Sequence, residues 1–395
     1  MAGTHDGLSV AIVGGGIGGL AAALSLLAEG VDVHVYERSE TIREVGAGIA
    51  VSPNATRVLY GLGLRPELER TGVRPTAWWQ RRWEDGRTLT RTPLGVEIER
   101  RFGVPQYQMH RGDLLAALAR AVPTDRLHTG HGLVSLRDDG HRVEATFTNG
   151  SEVHADVLVG ADGIHSVVRT LLFGPENPRF TGCVAYRALV PMARLTGIDV
   201  EPAIQLWLGP GGHLAHYPVR SGRLLNVVGV IEQDDWANES WTEPGDVAEL
   251  RMAYAGWHPQ VEAVLGAVDE TFRWALFERP AMPEWSRGRI TLLGDACHAM
   301  LPFLAQGAAQ AIEDGVALAS LLSRVDSEAA VPAALQAYEA IRRPRVTRVQ
   351  AMSAANKVRS HLPDGEAQRE RDAAFASGAD DLMFSAWDWL YLQAA

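Results

Sequence analysis

Leu8-Ser9-Val10-Ala11-Ile12-Val13 runs directly into Gly14-Gly15-Gly16-Ile17-Gly18-Gly19, and this junction decides the fold. The first six residues form an apolar run of strand length, the glycines form a turn, and Leu20 to Ala28 is Ala/Leu-rich and helical. Gly30 stops that helix, and Val31 to Tyr36 alternates with period two, so the stretch predicts a βαβ unit. The glycines satisfy G-x-G-x-x-G. In that pattern Gly14 permits the tight turn, Gly16 lets the backbone approach a pyrophosphate, and Gly18 and Gly19 lie at the start of the helix, Gly19 letting it pack closely on the sheet. The helix N-terminus presents free N–H groups and the positive end of its dipole to phosphates. Glu37 ends the second strand, where a carboxylate can accept both hydroxyls of an adenosine ribose.

Val10 to Ala28 carries no charge over 19 residues, which is long enough for a membrane helix. Five of those residues are glycines crowded into Gly14–Gly19, and the flanks lack a basic n-region, so the segment is expected in a soluble fold with no membrane partner. The chain has 395 residues, 46% hydrophobic and 22% charged, which excludes a disordered chain and allows two domains or three. Its net charge of −11 argues against nucleic acid as a partner, because phosphate binding needs concentrated Lys and Arg. The two cysteines, Cys183 and Cys297, match no metal-ligand spacing and no disulfide framework, so a reducing cytoplasm and no metal are expected.

Further along, Arg142–Thr148 and Asp156–Val159 read as strands, with Asn149-Gly150 as the turn between them. From Thr181 to Phe277 the texture changes. Val184–Val190, Ala203–Leu208, His213–Val219 and Leu224–Ile231 alternate between Gly, Pro and Asp breaks, predicting a meandering antiparallel sheet with a helix over Val247–His258 on its edge. Arg289–Leu293 is a buried strand followed by a loop and a helix from Gly307 to about Ser323. The chain from Val331 to about Arg359 is helical, with Pro344 expected to kink or end it.

Three motifs in this order carry a resemblance: Gly14–Gly19 with Glu37, then Asp156-Val-Leu-Val-Gly160-Ala-Asp162-Gly163-Ile-His-Ser166-Val-Val-Arg169, then Gly294-Asp295. With His110-Arg111-Gly112-Asp113-Leu114 they resemble the flavoprotein aromatic hydroxylases related to p-hydroxybenzoate hydroxylase, over about Val10 to Arg345. The nearest likeness is to the salicylate hydroxylase, 6-hydroxynicotinate 3-monooxygenase and 3-hydroxybenzoate 6-hydroxylase branch. Val45-Gly-Ala-Gly48-Ile49, Pro53-Asn54, Leu292–His298 and Gln306-Gly307 with Ile312-Glu-Asp314 carry it. The resemblance implies an α/β fold: a Rossmann-like FAD-binding domain (1–75, 101–180 and 278–330) interleaved with an antiparallel-sheet substrate domain (76–100 and 181–277), plus C-terminal helices over 331–395.

It also implies FAD held by Gly14, Gly16, Gly18, Gly19, Glu37, Arg38, Gly48, Arg111, Asp162, Gly294, Asp295, Pro302, Gly307 and Ala308. NADH or NADPH would reduce the flavin, O₂ would form its C4a-hydroperoxide, and a small phenolic acid such as salicylate or a hydroxybenzoate would be hydroxylated, with loss of CO₂ if the attacked carbon carries a carboxylate. Tailoring of a larger natural product and a non-catalytic Rossmann-like binder are the rival readings, and a homodimer is left open. There are departures from the pattern. Ala309 stands where many relatives carry Asn, and Ala50 and Phe303 stand where the hydroxynicotinate enzyme has histidines, which argues against that substrate.

His213 and Tyr217 are the expected catalytic pair. Four apart on a strand, they share a face, where a neutral His can take a phenolic proton while Tyr holds the oxyanion. The same His-x-x-x-Tyr pair occurs in the hydroxynicotinate and 3-hydroxybenzoate enzymes. His216 is expected to face the other way and His298 to pack in the flavin loop. Arg81, Arg187 and Arg220 are each able to hold a substrate carboxylate, and the sequence does not choose among them.

Overall fold

A computed structural model describes residues 8–42, 47–233, 243–377 and 383–392. Val45 and Gly46 of the quoted loop, and the parts of the expected domains at 1–7, 234–242, 378–382 and 393–395, lie outside the described residues.

Strands Ser9–Val13 and Asp32–Tyr36 pair in parallel across the helix Ile17–Ala28, which is the βαβ unit read from the glycine-rich junction. Val157–Gly160 and then Ile290–Leu292 join in parallel on the other side of Ser9–Val13, and Leu127–His128 and Ser286–Arg287 complete a six-stranded sheet. The central strands Ser9–Val13, Val157–Gly160 and Ile290–Leu292 are nearly all buried, as a sheet covered on both faces requires. The helix Gly307–Leu322 lies directly on Ile17–Ala28. A β-carbon at Gly315 would come 2.7 Å from the Ala22 Cα, so glycine there sets the closeness of the two helices.

The second sheet has eight strands. Pro244–Gly245, Thr271–Glu278, Arg179–Pro191, Leu224–Glu232, Gly212–Val219, Ile204–Gly209, Ala77–Arg82 and Thr88–Pro93 follow in spatial order. It is not purely antiparallel, because Ile204–Gly209 pairs in parallel with Ala77–Arg82, a strand from a distant part of the chain. The expected helix over Val247–His258 ends at Ala253, and a separate helix, Pro259–Gly266, begins only beyond it. Gly256 takes a left-handed φ of 80° and Pro259 disfavours helical geometry at His258, so the chain turns between them. Both helices cover one face of the sheet over a core that includes Trp207, Leu214 and Tyr254.

Two further expectations are corrected. Asn149-Gly150 does not join Val143–Phe147 to the buried strand after it. It closes a hairpin with Glu152–Ala155, and Val157–Gly160 then enters the six-stranded sheet. Nor does Pro344 end its helix, which runs from Val331 to Ser360. Burial of Arg342, Val346 and Val349 on either side of the proline outweighs the one lost hydrogen bond. Among the described residues no helix is long and apolar enough to cross a membrane.

Candidate active site

The carboxyl ends of the parallel strands collect most of the residues expected at a cofactor. Gly14 (φ 115°) turns the chain out of the first strand, and a β-carbon on it would strike the Ala161 carbonyl oxygen at 2.3 Å. This fixes the glycine turn against the loop that carries Asp162. A β-carbon on Gly19 would lie 2.0 Å from the Gly14 carbonyl oxygen, and one on Gly18 would lie 2.9 Å from Leu293 and 3.0 Å from Ala311. Gly18 therefore sets the contact with the Gly294-Asp295 turn and the helix Gly307–Leu322. Gly16 differs: around its would-be β-carbon nothing lies within 4 Å, which leaves room at the helix start for a ligand. No side chain caps that helix N-terminus, nor that of Gly307–Leu322.

Glu37 reaches back to the turn, accepting the Gly15 N–H at 2.7 Å through Oε2 and the Ser39 N–H at 2.9 Å through Oε1. Asp162 accepts the N–H groups of Val167 and Val168 and so anchors the helix Val167–Phe173. Burial raises its pKa. Arg169 ties two motifs together by donating to the carbonyls of Ala296 and Ile164. Asp295 is exposed at the start of a short helix, with Gly307 close to its Oδ1, so that the acidic turn and the second helix N-terminus share one edge. Pro302 opens a short turn ahead of Gly307 and Ala308, and Ala305 in that turn has φ 52°. Arg38 is exposed, with its β-carbon near Gly132.

Beneath this edge lies a buried charge cluster that sequence reading passed over. Arg342, 1% exposed, donates to Asp314, Glu313 and Gln310, while His298 meets Asp314 at 2.6 Å. Burial alone would raise the Asp314 pKa, but His298 and Arg342 bring it to about 2. Asp314 also accepts the Gly294 N–H, so the cluster holds the acidic turn in place. His298 thus packs at the loop, as expected. Asn54 and Gln306 extend the network through Glu313 and Ser52.

A second group joins the eight-stranded sheet to a separate two-stranded one, made of Gly48–Val51 and Tyr107–His110. Gly48 donates its N–H to the Asn226 Oδ1 at 2.6 Å, and a β-carbon on Gly48 would collide with the Tyr217 ring. The Arg111 N–H donates to Ala47 beside it. Asn226 is fully buried, and its Nδ2 has no hydrogen-bond partner, an orphaned donor where the eight-stranded sheet meets the Gly48 strand. Sequence gave no signal for Asn226, because its importance arises from what the cross-strand register places beside it.

That register also orders the strand Gly212–Val219. Residues directly opposite one another share a face. His213 lies in a row with Val230 and Ala185, Ala215 with Val228 and Arg187, and Tyr217 with Asn226 and Leu189. His213, Tyr217, Arg187 and Asn226 therefore share one side. His213 is 5.4 Å from the Phe303 ring, and Tyr217, Met300 and Leu304 pack against one common apolar cluster, so the loop before Gly307 lies against this face. Burial lowers the His213 pKa to about 4 and raises that of Tyr217 to about 12, the latter against a lowering pull from Arg187. Of the three candidate arginines only Arg187 is on this side. Arg81 is in the Trp207 row on the opposite face, with its guanidinium 4.0 Å from that ring, and Arg220 is paired with Asp113.

The open helix start at Gly16, the exposed Asp295 and the orphaned Asn226 donor fit a long, polar, phosphate-bearing cofactor placed between two sheets. Such an arrangement suits a dinucleotide cofactor such as a flavin. Comparison with known proteins is in accord. Residues 7–353 match the family described as FAD binding domain, and the chain belongs to that family. The chain is 40% identical to 3-amino-4-hydroxybenzoate 2-monooxygenase of Streptomyces platensis, over 97% of this chain and 95% of that protein. It is 39% identical to 6-hydroxynicotinate 3-monooxygenase of Pseudomonas fluorescens, over 88% and 90%. A solved salicylate hydroxylase substrate complex superimposes with a TM-score of 0.84 at 27% identity, covering 99% of this chain and 96% of that one. The protein is a single-component FAD-dependent monooxygenase of the aromatic hydroxylase type, which removes the non-catalytic binder from consideration.

Proposed function

We propose that the protein hydroxylates a small aromatic acid that carries a phenolic hydroxyl ortho or para to the attacked carbon, using O₂ and NADH or NADPH. FAD, held by Gly14, Gly16, Gly18, Gly19, Glu37, Arg38, Gly48, Arg111, Asp162, Gly294, Asp295, Pro302, Gly307 and Ala308, supplies the oxygen-activating chemistry when bound. The observation that carries this reading is the shared face of His213 and Tyr217, set against the loop that precedes Gly307.

The chain's own residues prepare the ring. His213, neutral at pH 7, accepts the phenolic proton, and loss of that proton raises electron density on the carbon to be attacked. Tyr217 keeps its proton and donates a hydrogen bond to the oxyanion. Arg187, with its guanidinium 3.6 Å from the centre of the Trp274 ring, holds the carboxylate. The strong likeness to 3-amino-4-hydroxybenzoate 2-monooxygenase favours a hydroxybenzoate of that kind. Phe303 in place of a histidine makes 6-hydroxynicotinate a poorer fit. If the attacked carbon bears the carboxylate, CO₂ leaves, and otherwise simple hydroxylation results. A cytoplasmic setting is part of this reading, since a diffusible nicotinamide donor is found there.

The test is oxygen uptake with NADH and NADPH across salicylate, 3- and 4-hydroxybenzoate, 3-amino-4-hydroxybenzoate and 6-hydroxynicotinate, with peroxide measured alongside. One small phenolic acid that speeds donor oxidation and forms a hydroxylated product supports the reading. Peroxide alone with every member of the panel contradicts it and favours a larger substrate.

A further inference from the structure

His213 does not end in the protein core. Its Nδ1 lies 2.8 Å from Nε2 of His361, the residue that caps the helix Val331–Ser360 at its C-terminus, 148 positions away. On its other side His361 presents Nδ1 to two groups, the Glu232 carboxylate at 3.5 Å and the Cys183 thiol at 3.9 Å. Both histidines are buried, whereas the Glu232 side chain is 50% exposed. Three side chains from the strand Gly212–Val219, the end of a helix and the last residue of the strand Leu224–Glu232 thus make a continuous line from the expected substrate face to solvent.

We propose that His361 and Glu232 form a proton path that carries the substrate's phenolic proton from His213 to the protein surface. The proposal rests on the reading of His213 as the base. At 2.8 Å one of the two rings must donate to the other. In the resting arrangement His213 holds its proton on Nδ1 and donates it to His361 Nε2, and His361 holds its own on Nδ1, toward Glu232. The phenolic proton binds His213 Nε2, the His213 Nδ1 proton crosses to His361 Nε2, and the His361 Nδ1 proton passes to the Glu232 carboxylate and on to water. The O–H bond of the phenol breaks, an equivalent proton leaves at the surface, and both imidazoles end neutral with their protons exchanged between nitrogens.

This sequence answers a difficulty set by burial. An imidazolium at either position is disfavoured: burial lowers the His213 pKa to about 4, while burial, His213 and Lys357 lower that of His361 to about 2. A concerted shift moves one proton through without leaving a charge on either ring. The other groups around His361 do not compete as acceptors. Burial raises the Cys183 pKa and keeps the thiol protonated, and the Lys357 ammonium donates to the Thr181 carbonyl. His361 acts through His213, so its part is to position and relay.

The test uses the FAD-loaded protein mixed rapidly with 3-amino-4-hydroxybenzoate in weak buffer containing a pH-indicator dye. The flavin absorbance change reports binding, and the dye reports proton release. The wild type is expected to bind and release a proton. His361→Gln is expected to bind alike and to release about a hundredfold more slowly, the low end of what a positioned acid or base contributes. Added imidazole should restore the rate in His361→Ala, an effect that loss of packing alone would not show. Glu232→Gln, a half-exposed change that spares the core, should slow release as well. Release at the wild-type rate in both His361→Gln and Glu232→Gln overturns the path, while His213→Gln still blocking release leaves the base in place. Equal release by the wild type and His213→Gln, or none by the wild type, overturns the base and the path together.

Discussion

His213 and His216 sit three residues apart on one strand, and both are buried. Burial lowers both pKa values, to about 4 at His213 and about 3 at His216, where Arg81 adds to the effect. Their surroundings differ. His216 accepts a hydrogen bond from the Trp207 indole at 3.2 Å, within the core under the helices Val247–Ala253 and Pro259–Gly266. His213 faces the loop before Gly307 and bonds to a second histidine that leads toward the surface. Burial and a shifted pKa therefore do not by themselves mark a catalytic histidine. The side of the sheet and the chemistry of the partner do.

The largest expected effect separates the two histidines directly. His213→Ala should lower coupled hydroxylation by about 10²–10⁴-fold while FAD stays bound, with donor oxidation diverted to peroxide. Product formation at the wild-type rate would remove His213 from the chemistry. Next comes the anchor on the same face. Arg187→Met should raise KM about ten- to a hundredfold with kcat little changed, as expected for loss of a charge-assisted hydrogen bond. A fall in kcat at constant KM would show that Arg187 does not hold the carboxylate.

On the other face the effect moves from rate to stability. His216→Ala should cost about 1–3 kcal/mol in denaturant unfolding, because the Trp207 N–H is left buried and unpaired, yet the folded fraction should keep its turnover. A large loss of kcat per folded molecule would erase the contrast between the faces. The smallest effect is on pH dependence. Both folded pKa values lie below the ordinary 6.5, so below pH 6.5 the unfolded state binds more protons than the folded one. Stability should fall with acidification by up to about 1.4 kcal/mol per pH unit for each histidine, with the share from His213 ending near pH 4. His213→Gln should flatten that slope in a series of unfolding curves, and an unchanged slope would mean that His213 is not held neutral.

Much of the fold is written locally. The Gly14–Gly19 turn, its helix and the alternation of Val31–Tyr36 are short-range patterns, and the described structure contains each. Each of the four alternating runs after Thr181 lies in an observed strand, apart from Ala203, which just precedes its own. What escaped the sequence depends on long-range placement. The parallel partner of Ile204–Gly209 comes from residues more than a hundred positions earlier. Asn226 matters because Gly48 and Tyr217 meet it, and His361 because a 30-residue helix ends beside His213. The break after Ala253 was within reach, since Gly256 and Pro259 both mark it. The persistence of the helix past Pro344 was not, because it depends on packing around Arg342.

The central claim is that the substrate lies on the face of His213, Tyr217 and Arg187. A crystal structure of the FAD-loaded protein with 3-amino-4-hydroxybenzoate tests it most directly. The account predicts the phenolic oxygen within hydrogen-bond reach of His213 Nε2 and the Tyr217 hydroxyl, with the carboxylate on Arg187. A ring bound on the Trp207 side of the sheet, or on the near side with its hydroxyl turned away from His213, would contradict it.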